Sequence, residues 1–232
     1  MSRYIVTDLT RFSTPKEVCT AVIDMATGQC LRPMPYLLNK RVQELNIHPG
    51  AILDGDIRLK DDAKNPHIED ASHENLRYVK PASKNQFKVI LERTLSNSVA
   101  TGFGIQFADG QKHIPVGQQA TCSIITIKIP QSALQIHEDK FKPGKIRASL
   151  TDSTGHSFRY LSITDRGFFD YAKKHQEDGK LSELQKFIQS QKEVYLRIGV
   201  GRRFKSEDRD GYWLQVNGIY TFPDFLDEIR SY

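Results

Sequence analysis

The densest chemistry in the chain is Pro66-His67-Ile68-Glu69-Asp70, where an imidazole and two carboxylates fall within one short stretch. With Asp54, Asp56, Asp61 and Asp62 close by, these donors could hold a divalent cation through oxygen ligands. The activity would then be a metal-dependent hydrolase, such as a nuclease, working through His67, Glu69 and Asp70. Two observations weigh against it. On a strand His67 and Glu69 share one face while Asp70 points away, and no second ligand set recurs at a recognised spacing. The plainer reading is a loop that anchors structure or hydrogen-bonds a ligand, with no metal and no cofactor. Other catalytic signatures are missing too. Gly199-Val-Gly201 and Gly102-Phe-Gly104 lack the later glycine and lysine of a phosphate cradle, and no Gly-x-Ser-x-Gly elbow occurs. The expectation is a protein that is not an enzyme, with no catalytic residue.

Basic and aromatic residues are better placed. Arg197, Arg202, Arg203, Lys205 and Arg209 surround a strand end, interleaved with Tyr195, Phe204, Tyr212 and Trp213. Guanidinium groups and ring faces in that arrangement can meet phosphates and bases together. Arg11, Phe12 and Arg32 form the matching set in the first half. The expected binding set is therefore Arg11, Phe12, Arg32, His67, Glu69, Asp70, Arg197, Arg202, Arg203, Phe204, Arg209, Tyr212 and Trp213. The plainer alternative makes Phe204 and Trp213 core residues and the arginines a solvated rim with local salt bridges. Lys and Arg total 33 against 28 Asp and Glu, a net charge of +5 that favours an anionic partner without requiring one. Lys173-Lys174-His175, with Glu177 and Asp178 beside it, reads as the solvated face of a helix.

Strands and short helices must position these groups. Ser123–Ile129 alternates, Lys145–Leu150 and Ser157–Ile163 flank the turn Asp152-Ser-Thr-Gly155, and Glu193–Gly199 and Tyr212–Phe222 are rich in β-branched and aromatic residues. Between the third and fourth, Thr164-Asp165 caps a helical pattern of Phe168, Phe169 and Ala172, followed after Gly179 by Leu181, Leu184, Phe187 and Ile188. A charged loop spans Lys205 to Asp210. In the first half, Arg3–Phe12, Val18–Asp24, Gln29–Arg32, Ala51–Leu59 and Leu76–Val79 read as strands, and Tyr36 to Leu45 as a short helix. Ser83-x-x-Gln86 is a capping-box signature opening a helix through Phe87, Ile90, Leu91 and Leu95 that ends near Asn97. Gly102–Phe107, before Asp109-Gly110, is a hairpin candidate. A faint echo links Tyr4–Leu37 with Tyr195–Leu226, each running strand, Arg-Phe, polar loop, strand, glycine and proline.

The second half thus has the order β-β-β-α-β-β over about 100 residues, as expected of an oligonucleotide/oligosaccharide-binding (OB) barrel. Leu196–Phe204, Trp213–Pro223 and Pro66–Asp70 resemble the dual OB-containing domain family of bacterial proteins. The resemblance implies a mainly β fold with short helices, two tandem OB-like β-barrels packed together. Turn residues place the boundary near Gly117 to Ala120, giving an N-terminal domain over 1–118 and a C-terminal one over 119–232. The expected function is non-enzymatic recognition of single-stranded nucleic acid or a nucleotide-like ligand. An alternative is an adaptor that packs on a larger NTPase or nuclease in a bacterial defence or repair system. Cys19, Cys30 and Cys122 are odd in number with no metal spacing, so reduced, buried thiols are expected. No apolar run reaches membrane length and Met1-Ser-Arg lacks a signal-peptide core, which places the chain in the cytoplasm with no membrane partner.

Overall fold

The computed structural model describes residues 2–12, 16–206 and 209–230. In the first half, β1 (Ser2–Arg11), β2 (Glu17–Asp24), β3 (Cys30–Met34), β5 (Ala51–Leu59) and β6 (Asp70–Pro81) form a sheet in the order β1-β5-β6-β3-β2, and β2 pairs back onto β1 to close it. Only the β3–β6 pairing in that ring is parallel. The two-residue β4 (Leu37–Leu38) extends from β2, and the short helix α1 (Asn39–Glu44) follows it. Period-2 alternation explains the closure. Tyr4 and Val6, Val18 and Val22, and Leu53 and Ile57 fill the barrel interior, while Ile5, Ile23 and Ile52 on the opposite face are buried elsewhere.

Two helices lead out of this barrel. α2 (Lys84–Arg93) begins with a complete capping box, Gln86 N–H donating to Ser83 Oγ at 3.2 Å and Ser83 N–H to Gln86 Oε1 at 3.0 Å. It stops short of Asn97. The stretch read as a hairpin, Gly102–Phe107, is instead the end of α3 (Val99–Phe103) and the coil after it. Ser98 Oγ accepts the Thr101 amide at 3.1 Å, Phe103 is fully buried, and Gly104 closes the helix at φ +66°. Local capping and core burial outweigh the turn propensity of the glycines.

The second half contains β7 (His113–Pro115), β8 (Ile124–Ile129), β9 (Leu134–Glu138), β10 (Ile146–Thr151), β11 (Ser157–Ile163), α4 (Arg166–Glu177), α5 (Leu181–Ser190), β12 (Glu193–Val200), β13 (Phe204–Ser206) and β14 (Arg209–Phe222). Their order is β8-β12-β14-β11-β10-β9, with β11–β14 parallel. The edge strands β8 and β9 are consecutive, separated by Pro130 and a single 3-10 turn over Gln131–Ala133. Taken together as one bent strand, they occupy the place that β1 holds in the first barrel. β10, β11, β12 and β14 then match β2, β3, β5 and β6, and the helices insert at the same point in each half. The echo between Tyr4–Leu37 and Tyr195–Leu226 therefore joins non-equivalent strands. β7 and β13 flank the start of β14, where Gly211 is required because a Cβ would collide with the Ile114 carbonyl. The charged loop from Lys205 is mostly strand, and residues 207 and 208 within it lie outside the described residues.

Val99, Phe103, Ile105, Ile114 and Ala120 share the core of this second sheet with Ile127, Leu150, Phe158, Phe168, Leu196 and Val216. A third cluster joins the halves. Ile5, Ile23 and Ile52 from the outer face of the first barrel meet Phe87, Ile90 and Leu91 of α2 and Tyr195, Tyr220, Phe222 and Phe225. Each such side chain contributes about 1.5–3 kcal/mol on full burial. Within it Arg197, 1% exposed, donates from Nε and Nη2 to Asp8 Oδ2 at 2.9 Å, and from Nη1 to Thr126 Oγ1 at 2.9 Å. Burial works against the Arg197 proton, but Asp8 outweighs it and the pKa is raised. At the chain end, Arg230 donates to both oxygens of Asp165, the same carboxylate that caps α4 through the Phe168 amide. No helix among the described residues is long and apolar enough to cross a membrane.

Candidate nucleic-acid interface

The expected binding residues fall in separate places. Arg197 lies inside the junction between the barrels. Glu69, 4% exposed, accepts from Ser123 N and Ile124 N with Oε1, at 2.6 and 3.2 Å, and from Ser123 Oγ with Oε2 at 2.8 Å. It pins the start of β8 to the first barrel. Asp70 joins two arginines, with Arg32 Nε at 2.7 Å and Arg202 Nη1 at 2.8 Å. Arg202 also donates to Tyr36 Oη at 2.9 Å, and Phe12 packs on the Tyr36 ring at 4.8 Å. His67, Glu69 and Asp70 thus face three different sets of partners. No group of three or more His, Cys, Asp or Glu side chains is placed to hold a metal among the described residues.

Arg203 is exposed and makes a two-pronged contact with Asp210 at 2.9 and 2.7 Å. Phe204 is 62% exposed, and its carbonyl accepts from Trp213 Nε1 at 3.1 Å. The Trp213 ring stacks on His113 at 5.0 Å. Arg11 lies over the Phe169 ring with Cζ 3.7 Å from its centroid. Arg209 lines a cavity of about 820 Å³ with Lys112, Arg159 and Tyr160.

That cavity belongs to a face the sequence did not single out. In β11 the burial pattern breaks its alternation, because Ala148 pairs with Leu161 and Leu150 with Phe158, leaving Ser149 alone opposite both Arg159 and Tyr160. Such a bulge turns two consecutive side chains outward between the inward Phe158 and Leu161. Tyr160 sits at φ +59°, a left-handed conformation that costs a non-glycine residue about 1 kcal/mol or more. A fixed network supports it. Tyr160 N–H donates to Ser149 Oγ at 3.2 Å, and Ser149 Oγ lies 2.7 Å from His137 Nε2. His137 Nδ1 donates to the Glu138 carbonyl at 2.9 Å, so Nε2 is the acceptor of the Ser149 hydroxyl.

Around the bulge stand rings and cations. Tyr160 packs edge-on against His137 at 5.0 Å and tilted against Phe141 at 5.5 Å. Phe141, 80% exposed, rides on the β9–β10 loop, which Asp139 braces by accepting the Phe141 and Lys142 amides and the Arg147 guanidinium at 2.8 Å. A cavity of about 450 Å³ over β9–β11 shares Ser157, Arg159 and Tyr160 with the larger one. A third of about 420 Å³ opens at Arg11, Phe12, Lys145 and Arg147. The first two form one trough over β9–β11 that reaches Lys112 and Arg209, and the third, which shares no lining residue with them, lies further along the same two strands, β10 and β11. Burial first, then Arg147, lowers the Lys112 pKa, and burial with Arg209 lowers that of His113. The equivalent β2–β3 region of the first barrel is closed off, since Ile23 lies in the junction core and Cys30 Sγ receives Arg197 Nη2 at 3.3 Å.

No family model matches the chain, and no curated protein matches it either, so the likeness to dual OB-containing domains rests on the short motifs and on the strand order alone.

Proposed function

We propose that this chain is a non-enzymatic binding protein that takes single-stranded nucleic acid in the trough over β9, β10 and β11, with both barrels OB-like and the second one engaging the ligand. The reading is carried by the bulge that turns Arg159 and Tyr160 outward together beside the exposed ring of Phe141. Solvent-facing rings offer stacking surfaces to bases, each contributing about 1–3 kcal/mol, and the flanking cations meet the backbone. A bound strand would occupy at least about four nucleotides, the lower end for one such barrel. Arg209 at its end and Arg11 with Phe12 in the separate third cavity belong to the set expected from sequence. Rings and guanidinium groups without base-edge donors fixed in place favour loose sequence preference.

Fluorescence anisotropy with oligo-dT and oligo-U at low salt tests this. Binding that weakens steeply as salt rises is expected. Absence of single-strand affinity at low salt would refute it and leave the adaptor reading, in which the same rings and arginines meet a protein.

A further inference from the structure

We propose that the seam between the barrels holds a second, separate site, a pocket for a phosphate monoester built from Lys60, Lys64, His67, Arg202 and Tyr212. These residues line a cavity of about 380 Å³ between the β5–β6 connection of the first barrel and the β12–β14 end of the second. That volume lies in the lower part of the range for small-molecule pockets. Its wall is rigid, because Asn65 exchanges two hydrogen bonds with the backbone of Ala120 and Glu69 pins Ser123.

The donors point to an anion. Four cationic side chains line the cavity against two carboxylates, a formal excess of two positive charges. Asp70 has both oxygens engaged by Arg32 and Arg202, while Asp62 approaches Lys60 no closer than 3.7 Å on an exposed surface. Lys64 forms no ion pair among the described residues. Arg203 is paired with Asp210 and Arg202 with Asp70 and Tyr36, which leaves the two lysines as the uncommitted charged donors, with the half-exposed Arg202 offering only its remaining N–H groups.

His67 points to the same kind of ligand. It is 5% exposed, lies edge-on to the Tyr212 ring at 5.6 Å, and makes no hydrogen bond of good geometry at either ring nitrogen, the Gly201 backbone being the weakest influence on its charge. A buried polar side chain without a good partner is unfavourable and calls for a reason. Burial, Arg32 and Arg202 hold the ring neutral, so one nitrogen keeps an N–H to donate. Two ammonium groups, a guanidinium and a neutral imidazole suit the several oxygens of a phosphoryl group better than the two of a carboxylate. The monoester can come free, as a mononucleotide, or as the terminal phosphate of a strand. Tyr212 lies three positions along β14 from Arg209 at the end of the trough, so a strand leaving it passes toward this pocket. The terminal-phosphate source rests on the proposed function, and the free source does not.

The test follows the His67 imidazole resonances of the full chain by ¹H–¹⁵N NMR during additions of inorganic phosphate and of AMP, with sodium chloride at matched ionic strength as control. Saturable movement of the His67 signals with phosphate and AMP, but not chloride, is expected, at least fivefold weaker in Lys60→Ala/Lys64→Ala and unchanged in Phe141→Ala. No phosphate-specific movement up to about 10 mM, tenfold above a dissociation constant of 1 mM, would overturn the site. A companion anisotropy titration compares 5′-phosphorylated, 3′-phosphorylated and unphosphorylated oligo-dT. Tighter binding of one phosphorylated form, abolished by the double lysine variant, assigns the strand terminus. Equal binding of all three with a positive AMP titration assigns the free nucleotide. If AMP moves His67 and no oligonucleotide binds, the trough fails and the pocket stands. If oligonucleotides bind and no anion moves His67, the pocket fails and the trough stands.

Discussion

Replacing Arg197 by methionine leaves Asp8 as an uncompensated charge between the barrels, and the size of the effect can be worked from its surroundings. Both side chains are 1% exposed. Asp8 Oδ2 would keep only the Thr7 hydroxyl at 2.8 Å, and Oδ1 has no partner even in the native protein. Breaking a buried pair in this way typically costs about 3–5 kcal/mol, whereas replacing both partners by apolar groups is often close to neutral. At roughly 2–4 °C per kcal/mol for a chain of this size, Arg197→Met should lower the melting temperature by about 6–20 °C. Asp8→Leu/Arg197→Met should recover most of that loss. Urea and thermal unfolding of the wild type, both single variants and the double variant provide the assay. Strictly additive effects, or an Arg197→Met variant within about 1 kcal/mol of the wild type, would refute the assignment of Arg197 to the junction.

Acid should expose the state of His67. Its pKa is lowered from 6.5 to about 3 by burial, Arg32 and Arg202, against the opposing pull of Asp70 and the Gly201 backbone. The unfolded chain therefore binds the extra proton first, and stability present above pH 6.5 is lost as pH falls toward 3, by on the order of several kcal/mol. His67→Phe should flatten that part of the stability–pH curve, and an unchanged curve would contradict the buried neutral ring. At α2, Ser83→Ala removes one half of the capping box and should destabilise the protein by about 1 kcal/mol, measured by urea unfolding, while no change would mean that the cap is dispensable.

Much of the framework can be read from local pattern. Asp165 caps α4, Ser83 and Gln86 form their reciprocal box, and Asp152-Ser-Thr-Gly155 turns the β10–β11 hairpin, because each depends on residues a few positions apart. β9 escapes notice, since Leu134-Gln-Ile-His-Glu138 offers only two apolar residues and gains its place by pairing with β10. The site is less legible for the same reason. Arg197 looks like one of a cluster of cations in sequence, yet its partner Asp8 lies 189 residues away. The HIED stretch suggests one site, but the fold sends His67 to a cavity, Glu69 to β8 and Asp70 to two arginines. Tyr160 and Phe141 carry no linear signal at all. Their exposure comes from a bulge and a braced loop, which exist only once β9, β10 and β11 are paired.

A nucleic-acid interface on β9–β11 stands or falls on the comparison of Tyr160→Gly with Arg159→Ala on one single-stranded oligonucleotide across a salt series. Glycine at position 160 accepts the left-handed backbone at φ +59°, so the melting temperature should hold while the ring is lost. Tyr160→Gly should then weaken binding by about 1–3 kcal/mol with the salt slope unchanged, and Arg159→Ala should reduce the slope by about one phosphate contact. Wild-type affinity and slope in both variants, with both folded, would contradict a nucleic-acid interface on β9–β11.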